Sequence, residues 1–207
     1  MNLPRPSKIV CVGRNYLEHA RELGNEMPER PLIFLKPPSS VIAHGDAIVL
    51  PPESERVEHE GEIAVVIGTR ARRVRAAEAW EHVAGIAPLN DVTARDLQKT
   101  DGQWTRAKGF DTFCPLGTMT PLQAVRDRDA LEVVCRVNGQ ERQRGRITDM
   151  AFSIPVLIEY ISAVMTLEPG DVIATGTPAG VSPLHPGDVV EVEIPGIGIL
   201  SNPVQAP

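Results

Sequence analysis

Apolar residues in this chain come in short runs cut by Pro, Gly and charged turns, and the period of the runs changes along the sequence. Residues 8–13 (KIVCVG) read as a strand. Residues 14–23 (RNYLEHAREL) read as a short helix, with Tyr16, Ala20 and Leu23 on an apolar face, His19 and Glu22 together on another, and Gly24 at the stop position. Residues 32–35, 47–50 and 60–67 are strand-like. The last of these ends in five consecutive apolar residues, Ile63 to Ile67, which predicts a strand covered on both faces. A helix is expected over 76–84 and one helical turn over 93–98. Residues 131–137 read as a strand that turns at Asn138-Gly139, a hairpin signal. The strongest helix spans 152–166, with Ser153 as N-cap and Pro155 in its first turn. Two similar turns, Glu168-Pro169-Gly170-Asp171 and His185-Pro186-Gly187-Asp188, each launch a strand. In the second strand Val190, Val192 and Ile194 alternate with Glu191 and Glu193, so one face is wet. The pattern predicts an α+β, mostly β fold in a single domain over 1–207. Residues 1–50 form its N-terminal strand–helix segment, including the helix at 14–23.

Composition narrows the classes of function. The 17 Gly and 19 Pro among 207 residues favour turns and short strands over a helical bundle. The net charge of −6 opposes nonspecific binding to nucleic acid or to an anionic membrane. No run reaches the ~18 apolar residues of a membrane span, and residues 1–7 carry no apolar leader. Cys11, Cys114 and Cys135 are far apart with no CxxC pair, which argues against a disulfide framework or structural zinc and for buried, inert thiols. A cytoplasmic protein is expected.

The most informative stretch is Val57-Glu58-His59-Glu60-Gly61-Glu62. Side chains alternate along a strand, so Glu60 and Glu62 point the same way, with Cα atoms roughly 6.6 Å apart. Two like charges beside a buried run repel and lose hydration unless one is protonated or a cation sits between them. Oxygen-only ligands select Mg²⁺, Mn²⁺ or Ca²⁺; a frayed strand end with solvated glutamates is the other reading. Glu58 shares the face further from the apolar run and is expected in water. Asp91, at the end of an apolar approach, is either a third ligand or the N-cap of the turn at 93–98.

Several motifs in order make the chain resemble the fumarylacetoacetate hydrolase superfamily, in its short acylpyruvase and oxaloacetate decarboxylase-like branch. They are Gly13-Arg14-Asn15-Tyr16 with His19 and Glu22; Leu35-Lys36-Pro37; His59-Glu60-Gly61-Glu62; and Asn90-Asp91-Val92-Thr93-Ala94-Arg95-Asp96-Leu97-Gln98. After them come Trp104-Thr105-Arg106-Ala107-Lys108-Gly109-Phe110, Phe152-Ser153-Ile154-Pro155 and Thr175-Gly176-Thr177-Pro178.

The resemblance implies a mixed β-sandwich roll, a homodimer, and one Mg²⁺ or Mn²⁺ held by Glu60, Glu62 and Asp91. It implies a small 2-oxo acid substrate that chelates the ion through its carboxylate and keto oxygen. The chemistry would be acylpyruvate C–C hydrolysis or oxaloacetate decarboxylation, both of which leave a pyruvate enolate that a cation stabilises. Lys108 would add a second positive charge, and Arg14, Gln98 and Thr177 would contact or surround the substrate. The helix at 14–23 would act as a lid whose Glu22 orients His19 to activate water. The alternatives within the family are a 2-hydroxyhepta-2,4-diene-1,7-dioate isomerase or decarboxylase and an oxaloacetate keto–enol tautomerase; a catalytically silent dimer is the reading outside enzymology. His59 is expected to face away from the ligands, His44, His82 and His185 to lie in turns or on the surface, and Arg95 to pair with Asp96.

Overall fold

The computed structural model describes residues 6–22, 24 and 26–207. In chain order the strands are β1 (Ile9–Gly13), β2 (Leu32–Lys36), β3 (Val41–Ile42), β4 (Ile48–Val49), β5 (Val57–Glu58), β6 (Gly61–Ile67), β7 (Val83–Asn90), β8 (Thr93–Ala94), β9 (Cys114–Pro115) and β10 (Thr120–Pro121). They continue with β11 (Glu132–Val137), β12 (Gln140–Arg146), β13 (Val172–Ala174), β14 (Val189–Ile194) and β15 (Gly198–Gln205). The α-helices are α1 (Leu17–Glu22), α2 (Arg95–Thr100), α3 (Thr105–Gly109) and α4 (Ile154–Val164).

A six-stranded sheet in the order β10-β7-β6-β13-β1-β2 faces a five-stranded sheet in the order β12-β11-β14-β15-β4. Neighbours run antiparallel except β1 with β13 and β15 with β4, so both sheets are mixed. The fold is α+β and mostly β, as the pattern predicts. Between the sheets Val10, Val12, Ile63, Val65 and Ile67 meet Val133, Cys135, Val190, Val192, Ile194 and Leu200 in the main core. The opposite face of the six-stranded sheet is covered too, by a second cluster of Ile9, Cys11, Ala64, Ala87, Leu89, Cys114, Val172 and Ala174. Double coverage is why β6 reads as an unbroken apolar run. It also sets the face that matters: Glu62 alternates onto the side of Ala64, away from the main core.

Helix α4 buries Ile154, Leu157, Ile158 and Ile161 at the spacing of one helical face. The hairpin at Asn138-Gly139 forms with φ of 53° and 74°, the paired left-handed residues of a tight two-residue turn.

Three predicted helical elements differ in their bounds. The first helix begins at Leu17 rather than at Arg14. Arg14 takes φ of 56°, and the buried Asn15 amide bonds Phe152 O and Thr175 O while accepting from Phe152 N, so this corner is fixed by tertiary bonds before the helix starts. Leu23, assigned to the apolar face of that helix, lies outside the described residues. The helix expected over 76–84 is a 3₁₀ segment, Ala76–His82, because Val83 pairs with Ile67 to open β7. The turn expected over 93–98 splits: Thr93 and Ala94 pair with Glu58 and Val57, and α2 starts at Arg95 with Ala94 at its N-cap position. Asp91 therefore caps no helix. Ser153 holds the N-cap position of α4, but its hydroxyl makes no capping bond. Among the described residues no helix is long and apolar enough to cross a membrane.

Candidate active site

The polar end of β6 and the end of β7 meet as antiparallel neighbours, with Gly61 opposite Asn90 and Glu62 opposite Leu89. Asp91 N donates to Glu60 O at 2.8 Å, and Glu60 N donates to the Asn90 side chain at 2.9 Å. This register brings one carboxylate oxygen each from Glu60, Glu62 and Asp91 within 4.8 Å of one another. The three residues are only 4%, 1% and 1% exposed.

Basic groups surround this cluster unevenly. Glu60 accepts from Arg95 Nη2 at 2.5 Å and Lys108 Nζ at 2.8 Å. Asp91 accepts from Lys36 Nζ at 2.6 Å and Lys108 Nζ at 2.7 Å. Glu58, expected in water, is 1% exposed and lies between Arg56 Nε and Arg95 Nε, each at 2.7 Å. The buried guanidinium of Arg95 needs acceptors, and Glu58 and Glu60 supply them. Arg95 thus pairs with these two and not with Asp96, which accepts from Ser54 Oγ and Glu55 N. Each of these three acids has two basic partners.

Glu62 has none among the described residues. It accepts from Gly176 N at 2.8 Å. Burial, followed by the Asp91 and Glu60 charges, holds its carboxyl well above the usual carboxylate range. Glu60 moves the other way: burial pushes it up, but Lys108 and Arg95 outweigh burial and hold it low. Burial would discharge Lys108, yet Asp91 and Glu60 keep its ammonium more basic than usual. The donor set is all oxygen and buried, and one of its acids, Glu62, feels the Lys108 charge but has no hydrogen-bonded basic partner among the described residues. It fits a hard divalent cation such as Mg²⁺ or Mn²⁺.

The Gly176 contact depends on its residue type. Gly176 has φ of 101°, and a Cβ there would lie 2.7 Å from the Asn15 Cβ. Gly180 has φ of 104° and passes so close to Arg142 O that no side chain fits; its N–H donates to Glu22 Oε1 at 3.0 Å. The loop between these glycines ties β6 to α1. On α1, His19 Nδ1 lies 3.1 Å from Glu22 Oε2.

A cavity of about 410 Å³ opens above the carboxylates, and every site residue named from the sequence lines it: Arg14, His19, Glu22, Glu60, Glu62, Asp91, Gln98, Lys108 and Thr177. The Thr177 hydroxyl donates to Gly61 O at 2.9 Å and accepts from Gln143 Nε2 at 2.7 Å, so its proton is committed to the backbone. The hydroxyl thus ties β6 to the loop after β13, while the residue still lines the cavity. His59 is buried against Gln143 and Ser182, away from the cluster.

Sequence reasoning missed Arg56 and Lys99 on the cavity wall, the role of Arg95, and the Gln143 hub. Lys36 lies in the Leu35-Lys36-Pro37 motif, which by itself gives it no role; its Nζ reaches Asp91. Nothing in the local sequence marks Gln143, which reaches the site from β12.

Residues 8–205 match the family model described as fumarylacetoacetate (FAA) hydrolase C-terminal. The chain is 49% identical over 195 residues to the mitochondrial oxaloacetate tautomerase of Arabidopsis thaliana, covering 92% of this chain and 87% of that protein. It superposes with a TM-score of 0.90, at 49% identity, on 5-carboxymethyl-2-hydroxymuconate delta-isomerase from Mycobacterium smegmatis, covering 98% of this chain and 80% of that one. Fumarylpyruvate hydrolase from Pseudomonas aeruginosa, in complex with Mn²⁺ and pyruvate, gives a TM-score of 0.94 at 33% identity, covering 100% and 92%. The sheet order, the buried acids and these matches converge: the chain belongs to the fumarylacetoacetate hydrolase family.

Proposed function

We propose that this chain is a divalent-metal-dependent enzyme of small 2-oxo acids that breaks the C–C bond of an acylpyruvate or decarboxylates oxaloacetate. The observation that carries the reading is Glu62, buried with no hydrogen-bonded basic partner among the described residues beside Glu60 and Asp91, beneath a cavity that also holds a His–Glu pair. Glu60, Glu62 and Asp91 hold one Mg²⁺ or Mn²⁺. When bound, such an ion supplies positive charge against the pyruvate enolate that C–C cleavage leaves. Lys108, kept charged by Asp91 and Glu60, adds a second positive charge from α3. Glu22, anchored by Gly180 N, orients His19 through Nδ1 and leaves Nε2 to take a proton from water. In acylpyruvate hydrolysis the hydroxide adds to the distal carbonyl and the C3–C4 pair departs as the enolate, which is protonated to pyruvate. Arg14, half-buried with a left-handed backbone, and Gln98 bind the substrate. The reading includes a homodimer, carried from the family resemblance, and a cytoplasmic location, carried from the three unpaired cysteines.

A second reading is supported by the tautomerase and isomerase among the relatives: the same head-group site moves a proton and breaks no C–C bond. A turnover panel with Mg²⁺ or Mn²⁺ over oxaloacetate, acetylpyruvate, fumarylpyruvate and 2-hydroxyhepta-2,4-diene-1,7-dioate separates the two. Product pyruvate supports the first reading, and enol–keto exchange without pyruvate supports the second. No metal-dependent turnover of any of the four would overturn both.

A further inference from the structure

Charge in the cavity is sorted by depth. The buried acids with their lysines form the floor, whereas the wall built by Arg56, just before β5, and by Gln98 and Lys99 of α2 presents donors. Gln98 has its amide oxygen taken by Arg95 Nη1 at 2.6 Å, which leaves the NH₂ as its unengaged end. Arg56 is held through Nε by Glu58 at 2.7 Å, and neither Nη makes a hydrogen bond among the described residues. Its side chain is 54% exposed and lines the cavity. Lys99 lines the same wall, is exposed and has no partner among the described residues. The acid at the mouth, Glu22, is already engaged by His19 and Gly180.

We infer that this wall is a subsite for a second carboxylate, so that the chain prefers dianionic 2-oxo acids over those with a neutral tail, with Arg56 and Lys99 as specificity-determining residues. The inference rests on the proposed function for the position of the 2-oxo head. Three physical points support it. Clamping Nε to Glu58, itself fixed by Arg95, orients the two Nη groups as a planar fork, the geometry that carboxylates accept in pairs. A lysine without a partner among the described residues and an arginine whose Nη groups are free of hydrogen bonds there, both at the mouth of a cavity in a chain of net charge −6, draw anions to that mouth. A neutral tail would strip water from these cations and return no hydrogen bond, which selects against it.

The test compares kcat/KM for oxaloacetate and fumarylpyruvate, which carry a distal carboxylate, with that for acetylpyruvate, which does not, in Mg²⁺-loaded wild type, Arg56→Gln, Lys99→Gln and the double variant. Calorimetric binding of oxalate reports the head-group site alone. We expect the wild type to favour the dianions. In the double variant that preference should fall about tenfold or more, the scale of one lost charge-assisted hydrogen bond, mainly through KM, while oxalate still binds. The preference should also shrink between low and high salt, because the rim is exposed to solvent. Lys99→Gln controls for Arg56 acting only by holding Glu58, since Lys99 holds nothing and should still lower the preference. Equal losses on all three substrates, or a wild type that favours acetylpyruvate, would overturn the inference and leave the proposed function standing. Absence of both oxalate binding and turnover in the wild type would overturn both.

Discussion

Two buried carboxylates in this chain, Asp171 and Glu62, belong to neighbouring parts of one sheet and are treated in opposite ways. Asp171, immediately before β13, is 0% exposed and fully satisfied. Its oxygens accept from Ser7 N at 3.0 Å, Ser7 Oγ at 2.6 Å, Lys8 N at 3.2 Å and Glu168 N at 2.8 Å, and they pair with Lys8 Nζ. Burial pushes its carboxyl up, but the bonds from Lys8, Ser7 and Glu168 outweigh it and hold it below the usual range. Glu62 has one backbone donor, no basic partner and two acids beside it, and it is held high. The first acid is closed and ties residues 7–8 to the sheet. The second is open toward a cavity and has no hydrogen-bonded basic partner among the described residues. A buried charge is therefore read by its donors rather than by its burial.

The largest effect should come from the open acid. Glu62→Gln keeps shape and removes charge, so turnover should fall at least ~100-fold, and the Mg²⁺- or Mn²⁺-dependent rise in Tm should vanish. Metal-free Tm should hold or rise, because the substitution relieves repulsion with Glu60 and Asp91. A clear drop in metal-free Tm would mean that Glu62 is as closed as Asp171, and the contrast would fail.

Next in size is the neighbour that the open acid has and the closed one lacks. His19→Ala should lower acylpyruvate hydrolysis by about 10²–10⁴-fold and any tautomerase rate far less, measured side by side with metal present. Equal losses would remove water activation from His19.

The smallest effect sharpens the closed side. Asp171→Asn should cost about 1–3 kcal/mol at pH 7, since the charged partner of several donors is lost. The folded pKa of Asp171 lies below its unfolded value near ~3.9, so its contribution is complete above that value and fades as pH falls through the folded pKa. Urea titrations of wild type and variant should therefore differ most at pH 7 and draw together as pH falls below ~3.9. A gap that does not narrow on acidification would place the effect in packing rather than charge.

Much of this was legible in the chain because strand alternation is a strong local code. The shared face of Glu60 and Glu62, the double-sided run at 63–67, the alternating face of 190–194 and the Asn138-Gly139 turn each follow from period and residue type, and each forms. Bounds failed where long-range pairing outbid local preference: Val83 and Thr93 left their predicted helices to join strands, and Asn15 held back the start of α1. Glu58 was misjudged because the guanidinium that buries it belongs to Arg95, which lies across the β5–β8 pairing.

Residue order alone thus determined a mostly β chain with an acidic strand, a candidate third acid, and a His–Glu pair at helical spacing, since each depends on neighbours a few positions apart. Which acid would lack a hydrogen-bonded basic partner, that Lys99 and the Nη groups of Arg56 would stand without partners among the described residues on the cavity wall, and that the Thr177 hydroxyl would bond Gly61 O were decided only by the tertiary structure. Hydrogen bonds and ion pairs are settled between groups that come from distant parts of the chain, and no local period records which donor reaches which acceptor.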